Sequence, residues 1–329
     1  MANSPDNTDI LSQILRSIRL RGGVFFCSKL AAPWGMTLQA AQQPRFHIVL
    51  EGRCYLQADE MAAPVVLRSG DFVLLTRGSA HWIADSATSD RIASEAAVAA
   101  HQRGTPLFKG SAISTRLLCG RFDFETRLPH PLIATLPAII CSTDVDRTQR
   151  DWLQESARLI GREFEQREAG SDVLIDRICE ALFVQMLRHH RTLSGVQSGF
   201  LSALHDSVLQ RALQFLHNDL AADWTVERLA LQCNTSRSAF AARFQQKIGM
   251  PPMAYLTMWR MQNALALLRD TPLSLAQIAE HLGYSSDMAL AKAFKRYFGE
   301  TPGDMRKAMR ERFLLQSVAS EQAVKITGT

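Results

Sequence analysis

Thr225-Val-Glu-Arg-Leu-Ala-Leu-Gln-Cys-Asn-Thr-Ser236, continuing through Phe240, Phe244 and Ile248 to Gly249, is echoed by Ser274-Leu-Ala-Gln-Ile-Ala-Glu-His-Leu-Gly-Tyr-Ser-Ser286, continuing through Leu290, Phe294 and Phe298 to Gly299. Leu229-Ala230 corresponds to Ile278-Ala279, and Pro252 corresponds to Pro302. The offset is 49 residues before the turn and 50 after it, so the second copy carries one extra turn residue. Thr225 and Ser274 are placed to cap short helices, and Ser236 and Ser286 to cap longer ones. Gly249 and Gly299 read as left-handed stops, and Thr301-Pro302 starts another helix with Pro at its first position. A short helix, a tight turn and a longer helix make the helix-turn-helix pattern.

The longer helices are two-sided. In the first, Phe240, Phe244 and Ile248 share the core face; Ser238, Ala242, Gln245 and Gln246, with Arg237, lie opposite. In the second, Leu290, Phe294 and Phe298 face inward, while Asp287, Met288, Lys292, Lys295 and Arg296 point away. Amide, small and basic residues on an outer face suit a helix laid in a major groove, where amides and cations read base edges and Ala touches a thymine methyl. Between the copies, Met253–Leu268 is apolar at helical spacing. Its sixteen residues predict a rod of about 24 Å, long enough with the helices' own width to set two reading helices ~34 Å, one DNA turn, apart.

Charge follows the same division. Residues 207–312 hold 14 Lys and Arg against 9 Asp and Glu, which is the whole of the net +5; the remainder balances. A neutral part joined to a basic one predicts that the basic part meets a polyanion. A plain helical bundle with a solvated basic face explains one such pattern, but less readily a duplicated one with matched stops.

Upstream the texture changes. Residues 21–125 carry short Val-, Ile- and Phe-rich runs, such as Phe46-His-Ile-Val-Leu50, punctuated by Gly and Pro; this predicts a β-sandwich or barrel. Ser86–Gly110 reads as a loop or insertion. Residues 147–192 read as two helices, the first with a stripe of Trp152, Leu153, Leu159, Ile160 and Phe164. The second, capped by Ser171, has Leu174, Ile178, Leu182, Phe183, Met186 and Leu187 on one face. Thr192–Gly199 reads as a linker and 313–329 as a flexible tail. Apolar residues make up 47% of the 329-residue chain, with no run long enough to span a membrane. The polar N-terminus lacks a secretory pattern. The six cysteines form no tight pair, which predicts reduced, buried thiols in a cytoplasmic protein.

Residues 207–310 resemble the DNA-binding domain of AraC/XylS-type transcription regulators. The resemblance is carried by Trp224-Thr-Val-Glu-Arg-Leu-Ala230, Ser236-Arg-Ser-Ala-Phe240, Gly249-Met-Pro-Pro252, Trp259-Arg260, Gly283-Tyr284 and Ala293-Phe-Lys-Arg-Tyr-Phe-Gly299. Leu290 and Ala291 stand where the family often has Phe and Ser. Ala241 and Ala242 leave the first reading helix short of long donors. The resemblance implies double-stranded operator DNA as partner, a homodimer, and RNA polymerase contact if the protein activates.

Residues 10–140 resemble the cupin-like effector domain of a subgroup of these regulators, through Pro33-Trp34-Gly35, Phe46-His47 to Glu51-Gly52, Gly70-Asp71 to His81, and Leu117-Leu-Cys-Gly-Arg121. Metal-binding cupins place two His and a Glu in a first motif and a third His in a second. Here Arg45 occupies the first His position, leaving His47, Glu51 and His81. Alternation puts 45, 47 and 51 on one strand face. A 2-His-1-carboxylate set can hold a divalent metal, but the Arg45 charge opposes one and suits an anion. Arg45, His47, Glu51, His81 and Trp34 are therefore expected to bind an effector, with neither metal nor cofactor. The expected architecture is a cupin-like all-β jelly roll over 1–145, a helical dimerisation or linker segment over 146–199 whose apolar stripes suit either a second copy or the barrel, and an all-α reader with two helix-turn-helix units over 200–312. The function expected is a ligand-responsive, sequence-specific transcription regulator. The alternative is a cupin metalloenzyme, an oxygenase or isomerase, fused to a DNA-binding domain.

Overall fold

The computed structural model describes residues 9–105, 108, 110, 112–124, 130–142, 147–193 and 199–311, with side chains excluded at 147–150 and 189–193. The linker over 194–198 and the tail over 313–329 lie outside them. The chain divides into two compact units.

Among the described residues, the first unit is built on nine strands. They are β1 (Leu20–Ala31), β2 (Gly35–Leu38), β3 (Arg45–Ala58), β4 (Val65–Arg68), β5 (Phe72–Leu75), β6 (His81–Ala84), β7 (Ile92–Ala93), β8 (Ile113–Phe124) and β9 (Ile139–Cys141). The fourteen-residue β3 serves two sheets: its first half pairs with β5 and β8, its second with β4 and β6. A register irregularity between Val49 and Glu51 marks the bend, the usual way a strand turns a corner. The interior holds Trp34, Val49, Cys54, Leu56, Val73, Ile83, Leu117 and Cys119.

Alternation sends Phe46 and Phe122 to the other face, where their rings stack at 4.7 Å and Phe183 meets Phe122 edge-on at 4.9 Å. Phe183 lies on the second of two helices, Arg147–Gln166 and Ser171–Leu193. That helix presses on β1 so closely that a Cβ on Gly22 would lie 2.1 Å from Cys179 Cβ. Ser171 gives its hydroxyl to Glu163 at 2.8 Å instead of capping. The buried stripe of this helix runs through Ile175, Cys179, Leu182, Phe183, Met186 and Leu187, one residue later at its start than expected.

The expected loop over Ser86–Gly110 instead contains β7 and a helix, Ser94–Gln102. Its sequence, Ser-Glu-Ala-Ala-Val-Ala-Ala-His-Gln, is rich in the strongest helix former, Ala. Small side chains had masked that preference.

The second unit is helical. Ser207–Asn218 is capped by Asp206. The two helix-turn-helix units are Val226–Gln232 with Arg237–Ile248, and Leu275–His281 with Asp287–Phe298. Thr225, Ser236, Ser274 and Ser286 each accept a backbone N–H as caps, and Ser274 and Gln277 complete a capping box. Gly249 and Gly299 terminate the longer helices at φ 87° and 81°. The connecting helix, Pro252–Asp270, has 19 residues, about 28 Å of rod, and buries Tyr255, Leu256, Trp259 and Met261. A helix over 302–311 closes the unit.

Two segments from early in the chain belong to this unit as well. The helix Ile10–Ile18 packs on the Ser207–Asn218 and connecting helices, burying Ile10, Ile14 and Ile18. His130 packs against Phe200, Tyr255 and Trp259. No described helix is long and apolar enough to cross a membrane.

Candidate nucleic-acid interface and effector site

On the first reading helix, Arg237–Ile248, the apolar triad Phe240, Phe244 and Ile248 is buried, and Arg237, Ser238, Ala242, Gln245 and Gln246 are all exposed. Its cations are engaged within the protein. Arg237 pairs with Glu227. Arg243 reaches Asp206 at 2.6 Å and Lys247 reaches it at 3.4 Å. Asp206 has a buried side chain and also accepts the N–H groups of Val208 and Leu209. Burial alone would raise its pKa, but the hydrogen bonds from Arg243 and Leu209 and the nearby cations outweigh it and hold the carboxyl below its ordinary value.

The second reading helix, Asp287–Phe298, is the reverse. Asp287, Met288, Lys292, Lys295 and Arg296 are exposed, with Met288 at 78%. Among the described residues Lys292, Lys295 and Arg296 form no ion pair or hydrogen bond. Other basic groups of this unit are structural. Arg260 donates to the carbonyls of Leu220 and Ala222, and Arg306 to those of Leu268 and Leu273.

In the sheet unit, His47 and His81 come together, their Nε2 atoms 2.8 Å apart. The network fixes both tautomers. His81 Nδ1–H donates to the Ser79 carbonyl at 2.7 Å, so His81 Nε2 is an acceptor and His47 Nε2–H is the donor. His47 Nδ1 is then a bare acceptor, buried without a partner among the described residues, as is the Trp34 Nε1–H donor. Burial, reinforced by the partner ring and Arg45, drives His47 well below the ordinary imidazole range; burial likewise takes His81 down to about 4. Both are neutral at physiological pH.

Glu51 does not join them. The irregularity after Val49 reverses its facing, its side chain is 60% exposed, and it pairs with Arg116 at 3.5 Å. Arg116 also binds Glu165 at 2.9 Å. The expected alternation of 45, 47 and 51 thus breaks at the bend, and the 2-His-1-carboxylate set does not assemble. Among the described residues no three metal-ligating side chains converge, so the donor set does not fit the metal of a metalloenzyme. Arg45 stays on the inner face, half-buried, with Nη1 on the Gln39 carbonyl at 2.7 Å. Its cross-strand partner is Arg121, which sequence reading missed because pairing register is not visible in one strand.

A second buried polar line went unseen for the same reason. In the helical unit His217 Nδ1 lies 2.9 Å from Gln13 Oε1, and His217 Nε2 lies 2.7 Å from the Tyr255 hydroxyl. Since an amide oxygen only accepts, Nδ1 carries the proton and the Tyr255 O–H donates to Nε2. His130 Nε2 approaches the same hydroxyl at 3.4 Å. Burial pushes both imidazoles down to about 3.

A cupin family model matches residues 9–192, and a helix-turn-helix domain model matches 229–308. The chain is similar along nearly its whole length to AraC-like transcription regulators of Streptomyces lividans and Streptomyces antibioticus, each 32% identical over 91% of this chain and 98% of theirs. It is also similar to the HTH-type transcriptional regulator AlkR of Acinetobacter baylyi, at 29% identity over 91% of this chain and 99% of that one. A cupin-like sheet joined to paired helix-turn-helix units, in a sequence that aligns with those regulators end to end, makes this chain a member of the AraC-like family of DNA-binding transcription regulators.

Proposed function

We propose that the protein reads an operator duplex with both reading helices, each in one of two successive major grooves, and that its barrel binds a small-molecule effector. The observation that carries this reading is the second reading helix. Three exposed cations that form no ion pair or hydrogen bond among the described residues, beside an exposed Met288, make a surface that interior packing does not require. Lys292, Lys295, Arg296, Asp287 and Met288 face the duplex from one helix; Arg237, Ser238, Ala242, Gln245 and Gln246 face it from the other. Arg45, His47, His81 and Trp34 serve the effector side. His47 Nδ1 and Trp34 Nε1–H supply one buried acceptor and one buried donor, groups that cost free energy until a partner meets them. Glu51 is not part of this set.

The protein acts as a homodimer through the two helices Arg147–Gln166 and Ser171–Leu193. Support comes from Trp152, Val173 and Leu174, apolar side chains 39%, 63% and 40% exposed on that pair. It works in the cytoplasm, where its DNA partner is, and contacts RNA polymerase where it activates.

The test is selection of a preferred duplex from a random pool by the full-length protein, followed by affinity measurements. A recovered site with two recognition blocks about 10–10.5 base pairs apart, whose affinity falls on Lys292→Ala, supports the reading. Recovery of no consensus sequence overturns it.

A further inference from the structure

Arg45 and Arg121 stand directly opposite each other on the β3–β8 ladder and line one cleft of about 350 Å3. Like charges facing each other across an antiparallel pair are destabilising, so this pairing works against folding. Neither guanidinium is neutralised by a carboxylate shared with the other. Arg45 binds the Gln39 carbonyl, and Arg121 meets Asp123, two residues along its own strand, at 3.3 Å. The rest of the wall is mixed: Phe25, Leu38 and Val98 give it an apolar side, and Gln43, Ser94 and Gln102 a polar one. The first turn of the Ser94–Gln102 helix also borders the cleft; its N-cap Ala93 offers no side-chain cap, and Glu95 is the first-turn group that offsets the positive end of the helix dipole. Glu95 is the one acidic residue of the lining; its field acts on Arg45, yet it forms no ion pair among the described residues.

On the reading that the barrel is the sensor, we infer that this cleft takes a small organic monocarboxylate. Its carboxylate bridges Arg45 and Arg121, and its apolar body lies against Phe25, Leu38 and Val98. A planar carboxylate offers Arg45 a partner charge in place of the neutral Gln39 carbonyl, and offers Arg121 a second one beside Asp123. The cleft volume is at the small end of the usual range for ligand pockets, which favours a compact body. Glu95 then acts as a resident competitor: its charge offsets Arg45 when the cleft holds no anion and repels the ligand when one arrives.

The sign of that last effect makes the inference testable. Calorimetric titration of the full-length protein with octanoate and benzoate, against benzyl alcohol and benzylammonium, reads the head-group charge directly. At least one carboxylate is expected to bind and the neutral and cationic controls not to. Arg45→Gln and Arg121→Gln should each weaken carboxylate binding tenfold or more, while Glu95→Gln, at an exposed position, should tighten it severalfold. Binding of neither carboxylate, equal binding of the alcohol, or weaker carboxylate binding in Glu95→Gln would overturn the inference. The sensor reading fails separately: it falls if a carboxylate binds with this charge pattern yet leaves operator affinity unchanged. It survives if a ligand indifferent to Arg45 shifts operator affinity, an outcome that removes the anion assignment alone.

Discussion

The two helix-turn-helix units share hydroxyl caps, glycine stops and equivalent buried apolar positions such as Phe244 and Phe294, yet they use their charge in opposite ways. In the first unit Arg237, Arg243 and Lys247 are spent on Glu227 and Asp206, and the outer face offers Ser238, Ala242, Gln245 and Gln246. In the second, Lys292, Lys295 and Arg296 form no ion pair or hydrogen bond among the described residues. Duplication preserved the scaffold and let the surfaces diverge. On the proposed reading, the second helix serves phosphate attraction and base reading together. On the same reading, the first relies on short-range amide and hydroxyl contacts, which form only once the protein is already docked.

The largest expected difference between the halves is their response to acid. His130 and His217 surround Tyr255, which packs edge-on against Phe244 of the first reading helix, and both have native pKa values of about 3. The unfolded chain binds their protons near pH 6.5. Their contribution to stability is therefore complete above pH 6.5 and is lost as pH falls from there toward 3, by up to about 1.4 kcal/mol per pH unit for each group. Hydrogen exchange at pH 5 should show the first reading helix and Ser207–Asn218 losing protection before Asp287–Phe298. Simultaneous loss along both halves would remove the distinction.

Next in size is Lys292→Ala, expected to cost about 1–3 kcal/mol of operator binding and to relax preference at one base position. Anisotropy titrations on operator and scrambled duplexes separate the outcomes; an equal loss on both makes Lys292 a phosphate contact. Asp206→Asn sharpens the comparison from the other side. It should lower stability in urea denaturation by about 1.5 kcal/mol, the worth of a charged hydrogen bond. By freeing Arg243 and Lys247 it should also raise low-salt DNA affinity and steepen the salt dependence by about one or two counterions. A flat salt response would mean that those cations do not face DNA. The smallest effect belongs to Arg237→Ala. Its pair with Glu227 is exposed and screened by solvent, so the melting temperature should hardly move and operator affinity should fall only a few fold.

Much of this was legible in the sequence wherever the signal was local. Thr225, Ser236, Ser274 and Ser286 cap as their chemistry dictates, and Gly249 and Gly299 stop helices because a left-handed residue is cheapest as glycine. What escaped was non-local. Glu51 was misassigned because alternation carries no warning of an irregularity, and one residue of slip turns a side chain to the other face. Arg121 gained meaning only when β3–β8 register set it opposite Arg45. The Ile10–Ile18 helix shows an apolar face without saying which core that face joins, so its place beside the connecting helix, with Gln13 on His217, could not be foreseen. The Ser94–Gln102 helix was hidden by composition: its Ala-rich, polar sequence carries little hydrophobic stripe.

The central claim is that one protomer reads two grooves through a connector that is a packed helix. It is tested most directly by moving the grooves. Affinity should be measured for operators with five or ten base pairs inserted between the two subsites. Five base pairs turn one subsite by roughly half a helical turn, and ten restore the face but add ~34 Å, which a connector of 19 residues, about 28 Å and on this account matched to one DNA turn, cannot also absorb. Both insertions should reduce binding to the same residual level, that of the second reading helix on its half-site alone. Full affinity on the ten-base-pair insertion, or no loss on either, would contradict the account.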